Sequence, residues 1–312
     1  MASAKKKNGK KHTGRRFLKL VSTLVLLLLM LMVVQGHVVQ LRCVDLPLRD
    51  LPPAFDGTKI VYLSDLHMTT LNSPGKISAM MEQLQMIQPD LLLLGGDYNG
   101  NDILGQLAVQ TGREIYGSRQ AETRELFFLS LADFTAPLGK FAVAGDMDNL
   151  VERNAQTSLS GAAAMGGVRL LRDEAVRIEK DGQTLVLVGV DDWRTGLQDI
   201  RSPARGLRSG DCVILLAHNP EAIPQLTTQP GEDGGRWIDA ALTGHTLGGQ
   251  IKIGGREIFN PLAGDERYSA GWHLENGAKL LISEGLCGSF LPLRLGTSAE
   301  VHVITLRCQT TE

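Results

Sequence analysis

The segment KIVYLSDLH, residues 59–67, places a short apolar run directly before an aspartate and a histidine. The run has the length and composition of a buried β-strand, so the polar pair would stand at the carboxyl end of that strand. Ligand sites of α/β folds lie at the carboxyl ends of strands. Asp65 and His67 are therefore the first candidate functional residues.

Further strand-like runs end in the same way. Asp97 follows DLLLLGG, Asp146 follows GKFAVAG, His218 follows CVILLA and His245 follows IDAALTG. A single aspartate at a strand end is most often a turn residue, and a single histidine most often packs in the core. The ordered set is more specific than any member, and histidine with carboxylate suits divalent transition metals. The sequence predicts a metal site at one sheet edge.

The rest of the body alternates strand-like and helical segments. Helices are predicted in residues 76–88 and 119–134, and further strands in residues 168–192, 278–285 and 299–307. Such β and βα units predict a layered α/β architecture. No linker rich in Pro, Gly or Ser divides residues 40–312, so one domain is expected. The irregular residues 98–120 are interpreted as an insertion or cap.

The N-terminus combines a basic tail, residues 1–16, with an apolar stretch, residues 17–39. Residues 1–19 hold eight cations and no acid, which leaves 24 basic against 34 acidic residues in the remainder. This acidic body argues against a nucleic-acid partner. The apolar stretch is just long enough to span a bilayer.

The apolar stretch has two interpretations, an uncleaved anchor and a cleaved signal peptide. The stretch is longer than the usual signal core and lacks a small-residue cleavage site, which favours the anchor. The positive-inside rule then keeps the tail cytoplasmic, so a single-pass cell-membrane protein with an extracytoplasmic domain is expected. Cys43 and Cys308, near the two ends of that domain, could pair if those ends meet.

In order and surroundings, the motifs resemble the calcineurin-like metallophosphoesterases, and in particular a membrane-attached bacterial branch with UDP-diacylglucosamine pyrophosphohydrolase-like proteins. The resemblance covers about residues 55–307. The matching stretches are SDLH, PDLLLLGGD, VGVDD, ILLAHNP, GHTLGGQ and SEGLCGSFLPLRLGTSAEVHVITL. It implies a four-layer αββα sandwich of two mixed sheets and a site for two metal ions that share one carboxylate.

The resemblance also implies a role for each candidate residue. Asp65 and His67 would hold the first metal, and Asp97 would bridge both metals. The second metal would be completed by Asp146, His218 and His245. The catalytic residues would be Asp97, Asp146 and His218. The cofactors would be divalent ions, one or two per chain, from among Mn, Fe, Zn and Mg.

Two stretches depart from the family pattern. Where the family has GNHD, residues 145–148 read GDMD, so that Asp146 replaces the metal-binding Asn and Met147 replaces a catalytic His. Where the family has GHTHGGQ, Leu247 replaces the second His, a ligand of the first metal. Asp148 and His273 are the candidate substitutes for this ligand.

Two function classes follow from these residues. The first is a membrane-anchored phosphohydrolase that cleaves phosphodiester or pyrophosphate bonds with a metal-activated water. Its partners would be the membrane and a phosphorylated small molecule or lipid, such as a lipid-linked or envelope substrate. Because Met147 carries no transferable proton, good leaving groups should be favoured. The second is a degenerate, non-catalytic member that binds one metal or a phosphorylated ligand.

Overall fold

The structure is a computed structural model that describes residues 3–69, 72–100, 107, 110–111, 118–152, 157–196, 202–259 and 268–309. Its helices are α1 (Ser3–His37), α2 (Pro74–Gln85), α3 (Ser118–Ser130), α4 (Asp146–Glu152), α5 (Leu159–Met165) and α6 (Ile223–Thr228). Its strands are β1 (Val39–Leu48), β2 (Lys59–Leu63), β3 (Leu91–Leu94), β4 (Gly139–Ala142), β5 (Arg169–Leu170), β6 (Glu174–Lys180), β7 (Gln183–Gly189), β8 (Val213–Leu216), β9 (Ala240–Thr243), β10 (Ile251–Ile253), β11 (Arg256–Phe259), β12 (Gly271–Glu275), β13 (Ala278–Ile282) and β14 (Ala299–Cys308).

Two six-stranded mixed sheets carry the fold. The first has the strand order β1-β14-β2-β3-β4-β5, and the second has the order β12-β13-β9-β8-β7-β6. Strands β2 to β5 are parallel neighbours in the first sheet, and β7, β8, β9 and β13 are parallel in the second. Because parallel strands end at the same edge, each sheet gathers the residues that follow its central strands.

Strand β2 shows how the two faces of the first sheet are used. Ile60 and Tyr62 belong to a hydrophobic cluster that also contains Leu187 and Leu216 of the second sheet. The alternate residue Val61 belongs to a cluster that includes side chains of α2 and α3. Since successive side chains of a strand point to opposite faces, a central strand with apolar residues throughout is buried on both.

The other face of the second sheet has its own cluster. Val188 and Leu215 pack there with Ile223 and Leu226 of α6. Most of the strands and both helices predicted from the sequence are confirmed, while β1, β12 and the β10–β11 hairpin were not foreseen. Strand β1 lies at a sheet edge and is exposed over most of its length, although the stretches VQLRC and DLPL within it alternate as strand residues do. The predicted insertion, residues 98–120, falls largely outside the described residues.

The suggested pairing of Cys43 with Cys308 is wrong, and both cysteines are free. Strand β1 runs parallel to β14, with Cys43 opposite Val303 and Cys308 opposite Leu48. The ends therefore do not meet. At about 3.3 Å per residue the two cysteines lie about 16 Å apart along the strands, whereas a disulfide needs Cα atoms within about 7 Å.

Residues 14–37 of α1 form one helix that is long and apolar enough to cross a membrane. At 1.5 Å per residue they extend about 36 Å, against about 30 Å for the hydrocarbon core of a bilayer. Along this stretch the residues that are not exposed are Met32, Gln35 and Gly36, all in the last turns.

Candidate metal centre

The six predicted ligand residues lie together at the carboxyl ends of strands from both sheets. In the first sheet, Asp65 and His67 follow β2, Asp97 follows β3 and Asp146 follows β4; in the second, His218 follows β8 and His245 follows β9. They form a four-residue cluster (Asp97, Asp146, His218, His245) and a three-residue cluster (Asp65, His67, Asp97). Within each cluster, one ligand atom per residue lies within 4.8 Å of the others. Asp97 belongs to both.

The ligand atoms of the four-residue cluster lie close together. Nε2 of His218 lies 3.4 Å from Oδ2 of Asp97 and 3.6 Å from Oδ1 of Asp146. Nδ1 of His245 lies 3.6 Å from the same Asp146 oxygen and 3.2 Å from Nε2 of His218. The other ring nitrogen of His218 is 2.8 Å from the Gly95 carbonyl, and a contact of this kind fixes the orientation of a metal-binding histidine ring.

The three-residue cluster is looser. Nε2 of His67 lies 3.9 Å from Oδ1 of Asp65 and 3.8 Å from Oδ2 of Asp97. The backbone N–H of His245 donates to the Asp65 carboxylate at 3.1 Å, which joins the two clusters. This cluster offers one imidazole and two carboxylates.

The chemistry of these residues fits divalent ions. Nε2 of His67 and Oδ1 of Asp146 are buried without a hydrogen-bond partner, which is rare for such atoms. Burial raises the pKa of Asp97 well above its usual value and lowers the pKa of His67. A cation placed among these atoms would satisfy both orphaned atoms and stabilise the carboxylate form of Asp97, and a neutral imidazole is the form that binds metal.

Four of the candidate ligand residues have strained backbone conformations. Asp65, His67, Asp97 and His245 have φ angles of 54°, 38°, 54° and 70°. The left-handed region is sparsely populated by residues other than glycine, and such strain collects at functional sites. Gly145 is needed for a different reason, because a Cβ atom there would collide with the Asp97 carboxylate.

Leu247 has a backbone conformation that is rare for leucine. Its φ is 53°, which is an outlier for leucine. The side chain is fully buried, yet among the described residues it belongs to none of the three hydrophobic clusters. The other substituted position, Met147, contributes through its backbone, since its N–H donates to Oδ1 of Asp97 at 3.0 Å.

Neither candidate substitute joins the three-residue cluster. The buried Asp148 carboxylate accepts the backbone N–H groups of Asp97, Tyr98 and Gly145 at 2.8–3.0 Å. Burial raises the pKa of Asp148 to about 6. His273 lies on β12, where its ring contacts the Ala270 carbonyl. Asp148 therefore holds the loops that carry the ligands, and His273 lies outside both clusters.

Arg294 is a further buried residue of this region that was not predicted from the sequence. Its buried guanidinium donates to the carbonyl oxygens of Leu247, Glu284 and Cys287 at 3.2, 2.7 and 3.0 Å. The backbone N–H of Cys287 in turn donates to the Asp65 carbonyl. Arg294 thus joins the loop of Leu247 to the loop beside Asp65. The one signal was an arginine within the apolar stretch FLPLRL, residues 290–295.

No model of a known protein family matches this chain. The chain is 30% identical over 248 residues to the uncharacterized protein YpbG of Bacillus subtilis (strain 168), a match that covers 79% of this chain and 80% of YpbG. It is 28% identical over 253 residues to the phosphodiesterase YaeI of Escherichia coli (strain K12), covering 80% and 82%. It is 26% identical over 266 residues to the uncharacterized metallophosphoesterase YkuE of Bacillus subtilis (strain 168), covering 82% of each. These matches show that the chain is similar over most of its length to a protein named as a phosphodiesterase and to one named as a metallophosphoesterase, and the two clusters that share Asp97 agree with that similarity.

Proposed function

We propose that this chain is a metal-dependent phosphohydrolase that cleaves phosphodiester or pyrophosphate bonds. The observation that carries the proposal is the pair of clusters sharing Asp97. Bound divalent ions supply polarisation of a phosphoryl oxygen and activation of a water molecule. Imidazole and carboxylate ligands admit Mn, Fe, Zn or Mg, one or two ions per chain.

The residues of the chain would hold and orient the reacting groups. Asp97 presents Oδ2 to both clusters while the Met147 N–H holds its Oδ1. The histidine rings are neutral as ligands, and His218 is oriented by the Gly95 carbonyl. Met147 offers no proton to a leaving group, and general-acid help is typically worth about 10²–10⁴ in rate. We therefore expect anhydrides and aryl esters to be cleaved in preference to alkyl esters.

The proposal includes an uncleaved anchor, with the tail in the cytoplasm and the domain outside a cell membrane. Support comes from the 24-residue span of α1, which is apolar enough to cross a membrane, and from the cations at its N-terminal end. An anchored site suits a lipid-linked or envelope phosphate, as in the UDP-diacylglucosamine pyrophosphohydrolase-like branch. We also propose the layer order helix, sheet, sheet, helix, which the three hydrophobic clusters support.

Cleavage of bis(4-nitrophenyl) phosphate by the full chain in detergent tests the activity. The protein is stripped with a chelator and reloaded with Mn²⁺. We expect turnover that returns with the metal and is lost in Asp97→Asn, while Asp133→Asn, a change at an exposed aspartate, behaves as wild type. Turnover that survives the chelator, or persists in Asp97→Asn, would contradict the proposal.

The second candidate is a non-catalytic member that binds one metal or a phosphorylated ligand. The observation in its favour is that Met147 and Leu247 stand where the resembled family has histidines. The same assay separates the candidates. A chain that binds Mn²⁺ but releases no nitrophenol from this good-leaving-group substrate would support the second.

A further inference from the structure

Large apolar side chains are exposed in three segments close to the point where α1 meets the domain. Val38, Val39 and Leu41 follow the helix directly, Ile253 and Ile258 lie on the β10–β11 hairpin, and Phe290 lies in the loop before β14. We call these six residues the exit surface. Ile253 and Ile258 are 59% and 62% exposed, which is unusual for isoleucine in a folded domain.

Backbone contacts hold all three segments against the end of α1. The Gly296 N–H donates to Oε1 of Gln35 in α1 at 3.1 Å. The neighbouring Leu295 carbonyl accepts the N–H of Lys252 in β10 at 2.6 Å. The side-chain amide of Gln250 donates to the carbonyls on either side of Phe290. The hairpin and the Phe290 loop therefore stand beside the last turns of α1.

The loop before β14 contacts α1 at a point more than one turn before the end of the helix. The Arg294 N–H donates to the carbonyl of Met32 at 3.1 Å. Met32 lies five residues before the end of α1 at His37, about 7.5 Å of helix rise. If α1 crosses a bilayer, a segment that contacts Met32 lies at the depth of the lipid headgroups or just below them.

The linker between α1 and the domain is very short. One residue, Val38, separates the end of α1 from the start of β1. If α1 crosses a bilayer, this short connection would hold the domain, and the exit surface beside the end of α1, close to the membrane surface. Arg256, exposed on the hairpin between Ile253 and Ile258, suits anionic headgroups, whereas the exposed Arg42, which follows Leu41, pairs with Glu300 at 3.1 Å.

We propose that the exit surface is inserted in the interfacial layer of a lipid bilayer, so that the domain rests on the membrane in one orientation. The inference rests on the proposed anchor. Apolar faces of interfacial elements enter the headgroup–acyl boundary by about 5–10 Å, which matches the rise from His37 to Met32. The metal centre then has a constant height above the membrane, because Arg294 connects the Phe290 loop to the loop of Leu247.

Depth-dependent quenching of a fluorescent label tests this proposal. The full chain, with Cys43→Ser and Cys308→Ser, is reconstituted in vesicles of phosphatidylcholine and phosphatidylglycerol. A nitrobenzoxadiazole label is placed at Ile253→Cys or Ile258→Cys. Leu26→Cys, in the middle of α1, reports the anchor. Met165→Cys, an exposed apolar position next to β5 at the opposite edge of the first sheet from β1, is the matched control.

We expect spin-labelled lipids to quench the labels at 253 and 258 most strongly when the spin label is shallow. The label at 26 should respond to deep spin labels, and the label at 165 to neither. If 26 is quenched while 253 and 258 behave like 165, the anchor stands and the exit surface is in water. If 26 is not quenched, the anchor itself is wrong. If the labels at 253 and 258 shift to the blue with no lipid quenching, and lose that shift on dilution among vesicles, a second copy covers the surface and the proposal fails.

Discussion

Replacing Leu247 with histidine is expected to strengthen metal binding at the three-residue cluster. The backbone already holds this residue at a φ of 53°, and histidine enters the left-handed region more readily than leucine does. Arg294 fixes the main chain of the position through its bond to the Leu247 carbonyl. On the missing-ligand interpretation, an imidazole there would join the three-residue cluster, which has one histidine and two carboxylates.

Two opposing effects set the magnitude. Loss of an outer-shell partner usually costs about 10–100-fold in metal affinity, so a gained direct ligand should tighten the weaker ion by about 10-fold or more, or at least about 1.4 kcal/mol. Removing a fully buried leucine forfeits about 1.5–3 kcal/mol of unfolding free energy. Leu247→His should therefore be less stable than wild type without metal, and should recover stability as the ion binds.

Calorimetric titration with Mn²⁺, with metal counted per chain, measures the affinity, and thermal unfolding with and without Mn²⁺ measures the stability. Leu247→Ala is the matched control, since it removes the same apolar side chain but adds no nitrogen. Wild type should show one tight and one weak ion, and Leu247→His should tighten the weak one while Leu247→Ala does not. Two tight ions in wild type, or unchanged affinity in Leu247→His, would refute the missing-ligand interpretation.

The remaining predictions concern the shared carboxylate and its neighbours. Asp97→Asn should reduce bound metal per chain more than Asp65→Asn, because Asp97 serves both clusters; equal residual metal would speak against a bridging role. Gly145→Ala should lower metal content and activity, because its Cβ would displace Asp97, whereas Gly210→Ala, with open space around its Cβ, should match wild type; a harmless Gly145→Ala would show that the Asp97 loop can shift. Met147→His should raise the turnover of alkyl esters about 10²-fold or more with little change in metal affinity, and equal gains for aryl esters would exclude a role as proton donor.

The central strands and the ligand positions could be predicted because the relevant signals are local. Each ligand follows an apolar run of about four to seven residues, and strand geometry alone carries it to the sheet edge. Ile60 and Val61 illustrate the same point for the core, since a strand with apolar residues throughout must be buried on both faces.

The features that were missed depend on distant partners. Strand β1 exists because β14, about 260 residues later, pairs with it along its whole length. Asp148 looked like a spare ligand, but the N–H groups of Asp97, Tyr98 and Gly145 occupy its carboxylate. Arg294 has no motif of its own, and its role becomes visible when three carbonyl oxygens from two loops converge on it. The spacing of residues along the sequence does not reveal which distant residues come into contact in this way.

Two of the three substituted positions, Asp146 and Leu247, would act in opposite directions on the two halves of the centre. The four-residue cluster has the ligand number of a closed site, and Asp146 gives it a second carboxylate. A divalent ion there would be neutralised by Asp97 and Asp146. The three-residue cluster adds Asp65 and, without a histidine at Leu247, would leave coordination positions open for water or substrate. A second ion would then give the centre a net charge of about +1, which attracts an anionic phosphate. Undirected decay would weaken both halves, whereas these substitutions would add a charged ligand to one half and leave the other open to water or substrate, as a hydrolytic site requires.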